Sequence, residues 1–161
     1  MVFVTVGNGR QPFRRLLQAV DLLAQAGELE DVFVQCGHTS DELPSCTQKP
    51  FLTPAEFEES IRRADLVITH GGCTQLTIVK MGKIPVVMPR LSRFGEVVND
   101  HQLQLVEELA SQGYVIPVYD AADLSRAVSV ARKTMPIEYT KAPMIRLVAE
   151  AVARLSGTIG P

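Results

Sequence analysis

The sequence predicts an α/β domain in which a parallel β-sheet carries helices on both faces. Three observations lead there. Short β-branched runs alternate with amphipathic segments from end to end. Their lengths suit strand–helix–strand crossovers rather than hairpins. Three of the loops that follow strands are rich in glycine.

The elements follow in order. Val2, Val4 and Val6 alternate through a first strand that ends at Gly7-Asn8-Gly9. A helix from Phe13 places Phe13, Leu16, Leu17, Val20 and Leu23 on one stripe and stops at Gly27. Asp31–Cys36 is a second strand closed by Gly37, and residues 38–50 form a long loop with a short strand at its end. Thr53-Pro54-Ala55-Glu56 opens a helix to Arg63, with Thr53 as cap, Pro54 at the first position and Glu56 reaching back to the cap amide. Leu66–Thr69 is a strand, His70-Gly71-Gly72 a turn, Thr74–Met81 a helix ended by Gly82, and Ile84–Met88 a strand stopped by Pro89. Asn99 or Asp100 caps a helix to Ser111 whose buried face is Leu103, Val106, Leu109 and Ala110. Gly113, a strand over Tyr114–Val118, a helix from Asp120 or Ala121, and a last helix over Met144–Leu155 complete the series. The pattern is Rossmann-like, and in such sheets ligands sit beyond the carboxyl ends of the strands.

Composition narrows the functions. The 161 residues suit one domain, residues 1–161, with 46% hydrophobic and 21% charged side chains. A net charge of −2 without a basic cluster argues against nucleic acid as the partner. No apolar run approaches the roughly 20 residues that span a bilayer. Cys36, Cys46 and Cys73 are odd in number and lack metal-ligand spacing, which suits free thiols in a reducing, cytoplasmic setting. His38, His70 and His101 show no metal spacing either, so no metal site is expected.

Three loops can carry chemistry. Gly7-Asn8-Gly9 is either a tight turn or an anion site; it has neither a dinucleotide fingerprint nor the Lys of a P-loop. His70-Gly71-Gly72-Cys73-Thr74 either makes room for packing or presents amides and a hydroxyl to a diphosphate. Cys73 adds a rival reading as a thiol nucleophile, which would need an oriented His. In the stretch from Arg90 through Glu96 to Asn99-Asp100-His101-Gln102, the polar groups either cap a helix or meet sugar hydroxyls.

Taken together, five segments in this order resemble the C-terminal, donor-binding domain of glycosyltransferase family 28 over nearly the whole chain. They are the opening Val-Phe-Val-Thr-Val-Gly-Asn-Gly with Pro12-Phe13, Val34–His38, Ala64–Gly72, Gly82–Arg90, and Gly95-Glu96 with Asp100-His101-Gln102. By length and motif the chain is similar to stand-alone donor-domain proteins. These are the catalytic subunit of the eukaryotic dolichol-diphosphate N-acetylglucosaminyltransferase and enhancer subunits of bacterial exopolysaccharide glycosyltransferases. The resemblance implies the C-terminal half of a GT-B fold and use of a UDP-sugar, without a cofactor. It implies that Asn8, Gly9, Gly71, Gly72, Cys73 and Thr74 hold the diphosphate. Phe51 and Leu52 would face the uracil, and Arg90, Glu96, His101 and Gln102 the donor sugar. The ribose position, acidic in many relatives, is Thr77 here. Asn8 stands where relatives carry Thr, and Cys73-Thr74-Gln75 where they carry small residues.

The expected activity is inverting transfer to a lipid-linked sugar acceptor held by a membrane-associated partner subunit that also supplies the base. The chain is therefore expected to be cytoplasmic, recruited to the inner face of the membrane, inactive alone, and able to homodimerise when isolated. The partner is expected to dock beside the strand ends or along Met144–Leu155. The alternative is an enhancer or scaffold subunit that stabilises a transferase without binding nucleotide, which Thr77 favours. An epimerase or phosphorylase fragment fits less well, since those chemistries need other carboxylates.

Overall fold

The computed structural model describes residues 1–134, so the helix expected over Met144–Leu155 lies outside the described residues. β1 (Val2–Thr5) is buried along its whole length because it sits inside the sheet with helices on both sides. Among the described residues the sheet has six strands in the order β3-β2-β1-β4-β5-β6, every neighbouring pair parallel. β2 is Val32–Gln35, β3 Thr47–Lys49, β4 Leu66–His70, β5 Val86–Met88 and β6 Ile116–Pro117. β1 pairs Thr5 with Gln35 on one side and with Thr69 on the other, so the strand order reverses between β1 and β4. That is a Rossmann-like topology, and its switch point falls between these two strands.

The alternation of side chains divides the core. Val2, Val4, Leu66, Ile68, Val86 and Met88 point to a face covered by α1 (Arg14–Gln25) and α5 (Leu124–Ala131). Phe3, Val67 and Val87 point to the other, covered by α2 (Pro54–Arg63), α3 (Thr74–Lys80) and α4 (His101–Ser111). The expected helix stripe is present in α1, where Leu16, Leu17 and Val20 are fully buried.

α2 has the capping box read from its sequence: Thr53 N–H donates to Glu56 Oε2 at 2.8 Å and Glu56 N–H to Thr53 Oγ1 at 3.3 Å. Other expectations shift. β6 has two residues rather than five, because its ladder extends only where Ile116 N–H meets the Pro85 carbonyl and Val118 N–H the Val87 carbonyl. Leu103 is only half-buried, and Val106 and Leu109 carry the packing of α4. Asp100 precedes α4 without capping it through its side chain; its carboxylate instead accepts from the Ser92 amide at 2.8 Å and hydroxyl at 3.1 Å. Those bonds hold its pKa below the usual carboxylate range. They tie residues 91–100, which include a 3₁₀ turn at Ser92–Phe94, across the carboxyl edge of the sheet.

Candidate functional site

The parallel register brings the loop after β1 and the loop after β4 side by side at the switch point. Their contact is the His70 imidazole. A Cβ on Gly7 would lie 2.5 Å from His70 Cε1, and one on Gly72 would lie 2.4 Å from Nε2. The ring therefore fills the space that both glycines leave, and neither position has room for a larger residue. Burial first, and then the Arg90 guanidinium, pushes the His70 pKa down to about 4, so the ring is neutral at physiological pH.

The two loops aim their donors outward. Gln75, fully buried, donates from Nε2 to the Gly71 carbonyl at 2.9 Å, while its own Oε1 has no partner among the described residues. A trans peptide points its carbonyl and amide in opposite directions, so the Gly72 N–H faces away from Gln75. In the first loop the Gly7 carbonyl faces Gly37, where a Cβ would come within 2.7 Å of it. Gly37 has φ +57°, so glycine is needed for conformation as well as space. By the same reasoning the Asn8 N–H points away from Gly37. Among the described residues, the main-chain amides of Asn8, Gly9, Gly72, Cys73 and Thr74 donate no hydrogen bond within the chain. The expected donor groups are thus brought to one edge.

The arrangement differs from two helix mouths meeting. α1 starts only at Arg14, after an irregular Arg10–Phe13 segment whose Phe13 amide donates to Thr39 Oγ1 at 2.9 Å. The first loop acts through its own amides and the Asn8 side chain. Asn8 is exposed, and its Oδ1 accepts from Gln35 Nε2 at 3.0 Å.

Arg90 and Glu96, expected beside a sugar, turn inward with 3% and 5% of their surface exposed. The Arg90 guanidinium donates to the carbonyls of Val6 (3.0 Å), Gln11 (2.8 Å), Pro12 (3.4 Å) and Glu96 (3.2 Å), and lies 4.6 Å from the Phe13 ring centre. The Glu96 carboxylate accepts instead from Arg15 Nε and Nη2, at 3.0 and 2.9 Å, and from the Leu91 amide at 3.0 Å. Direct contact with a ligand would break these bonds, so both residues shape the loops rather than line the groove. Glu96 forms its ion pair with Arg15 and acts on the Arg90 guanidinium only through space; among the described residues Arg90, beneath the first loop, makes no ion pair of its own. That charge favours an anion above it.

The other expected residues spread along the same edge. Gln102 packs on Gly71, where an added Cβ would be 3.2 Å from the Gln102 Cβ, and its Oε1 accepts from the Arg90 amide at 3.2 Å. Its Nε2 is left to donate. His101 is exposed, with its amide donating to Asn99 Oδ1 at 3.3 Å. Cys73 is an exposed free thiol at the start of α3. Phe51, 44% exposed, stands just past β3 and meets His38 edge-to-face at 5.0 Å. Leu52 packs into the cluster under α2, and Thr77 is exposed on α3.

Sequence reasoning passed over Gln35 and Thr5 as parts of the site, and it placed His70 in the second loop without giving its ring a role. The available signal was a polar residue at or next to the end of an otherwise apolar strand, as in Val32-Phe33-Val34-Gln35. Among the described residues no group of three or more His, Cys, Asp or Glu could hold a metal ion, and no helix is long and apolar enough to cross a membrane.

In comparison with known families, the model described as the glycosyltransferase family 28 C-terminal domain aligns with residues 1–155. No curated protein matches the chain.

Proposed function

The chain belongs to glycosyltransferase family 28 through its C-terminal domain, and from that premise we propose that it binds the UDP-sugar donor of an inverting transferase. The observation that carries the reading is the meeting of the two glycine loops on His70 at the switch point, with unpartnered amides on both. A diphosphate is an acceptor-only ligand that suits such a site. Phe51 stands at the end of β3, two strand spacings or roughly 10 Å from β1, which is a nucleoside's reach from a diphosphate held there. Gln102 offers its free Nε2 to the sugar or its phosphate, and His101 stands next to it.

When the bond from the anomeric carbon to the diphosphate breaks, the leaving UDP gains negative charge. The outward amides and the Arg90 charge stabilise that charge as it develops. Of the site's titratable side chains, Glu96 is engaged by Arg15 and His70 is sandwiched between the loops, so neither is free to act as the base. The proposal therefore gives deprotonation of the acceptor hydroxyl to a membrane-associated partner subunit that presents a lipid-linked sugar. In this reading the chain works at the cytoplasmic face of the membrane and transfers sugar only with that partner.

A second reading, a scaffold subunit without nucleotide, draws on Thr77, which puts a hydroxyl where a carboxylate would bind ribose more strongly. One titration separates the two. Calorimetry with UDP and UDP-sugars should show binding in the micromolar to low millimolar range, and no heat at millimolar ligand would leave only the scaffold.

A further inference from the structure

The first loop owes its polarity to a buried relay behind it. The Gly7 amide can only donate, and it donates to Thr5 Oγ1 at 3.2 Å. Thr5, fully buried, accepts there and donates its one hydroxyl proton to Gln35 Oε1. With its oxygen occupied, Gln35 presents its NH₂ to Asn8, whose Oδ1 accepts at 3.0 Å. The Asn8 carboxamide then has its oxygen committed inward and its NH₂ turned to solvent at the mouth of the switch point. A carboxamide free to flip would offer either a donor or an acceptor to an approaching anion, and the acceptor would repel it. The three bonds run in one direction, donor to acceptor, from the Gly7 amide through Thr5 and Gln35 to Asn8.

We infer that Gln35 is a positioning residue for nucleotide binding: acting through Asn8 and held by Thr5, it fixes a side-chain donor toward the diphosphate. This rests on the donor-site reading above. Gln35 touches no ligand itself, being 4% exposed at the end of β2. Its contribution is selective, because it sets the direction of one group that meets phosphate and leaves base recognition at the end of β3 alone.

The experiment compares UDP with uridine, which lacks the diphosphate, on wild type, Asn8→Ala, Gln35→Met and the double variant, with thermal unfolding to confirm that each folds. Gln35→Met and Asn8→Ala should each weaken UDP about tenfold, the effect of one hydrogen bond to a charged group. Uridine affinity should be unchanged, and in the double variant the loss should stay near that of Asn8→Ala. If Gln35→Met does not fold, Gln35→Glu serves. Its carboxylate accepts from both Thr5 and Asn8, turns Asn8 Oδ1 outward, and should weaken UDP more than Asn8→Ala does. Equal weakening of UDP and uridine would assign Gln35 to the scaffold and overturn the inference, as would losses that simply add. A wild-type chain that binds no UDP would fail earlier, taking the donor-site reading with it.

Discussion

Acidification should destabilise the fold through one identifiable group, His70. Its ring lies between Gly7 and Gly72 and above a buried guanidinium, and its pKa falls from the usual 6.5 to about 4. As pH drops below 6.5 the unfolded chain takes up this proton while the folded chain does not. The stabilisation is complete above pH 6.5 and is lost as pH falls toward 4. From those two values, the loss between pH 7 and pH 5 is about 2 kcal/mol. Urea unfolding at both pH values, on wild type and on His70→Gln, isolates it, because carboxylate titrations elsewhere cancel in the difference. Wild type should lose about 2 kcal/mol more than the variant. If both lose the same amount, the imidazole is solvated and the sandwiched arrangement of the loops is wrong. Bound UDP should raise the pKa, since a diphosphate beside the ring offsets the Arg90 charge, so binding at pH 5 should take up protons.

Four further outcomes are expected. Arg90→Lys should lower stability by about 2–4 kcal/mol in urea unfolding, because an ammonium cannot span the carbonyls of Val6, Gln11, Pro12 and Glu96 as the planar fork does; an unchanged midpoint would refute the clamp. Gly37→Ala should cost about 1–3 kcal/mol and weaken UDP, since its Cβ would meet the Gly7 carbonyl at a positive φ. Gly113→Ala, with positive φ but open space around it, should cost only about 1 kcal/mol and leave UDP affinity intact. Thr77→Glu should tighten both UDP and uridine, by up to about tenfold, if α3 faces the ribose; calorimetry showing no change would place the ribose elsewhere.

What the sequence made legible was local. Thr53 and Glu56 satisfy each other within one turn, so their capping box could be read from four residues. The apolar stripe of α1 and the glycine turns after β1 and β4 are equally local. The position of the two glycine loops followed once a parallel sheet was assumed, because that topology alone sends both to the same edge. Side-chain direction at the strand ends was not local. Arg90 and Glu96 were expected to meet a ligand, yet their partners, Val6 and Arg15, lie 84 and 81 residues away in sequence. Gln35 and Asn8 are separated by 27 residues and meet only because β1 and β2 pair in register. Nothing in a single sequence states that register. The short β6 is similar: its length is set by where Pro85 and Val87 offer carbonyls, not by the apolar run over Tyr114–Val118.

On the proposed donor-site reading, the electrostatics let a chain of net charge −2 hold an anion without a basic face. A phosphate site built from exposed lysines gains affinity that salt screens, and it draws nucleic acid as readily as nucleotide. Here the fixed charge below the first loop is one guanidinium caged by carbonyls, and the donors on the two loops are chiefly main-chain amides. A second cation so close would be costly, and the Arg90 charge itself helps to keep His70 neutral. The neutral ring can then sit in contact with both loops as a spacer, and protonation of it would add charge repulsion against Arg90 at the point where the loops meet. The low pKa and the tight glycine contacts thus have one cause: a buried imidazole filling the gap between two strands whose order reverses there.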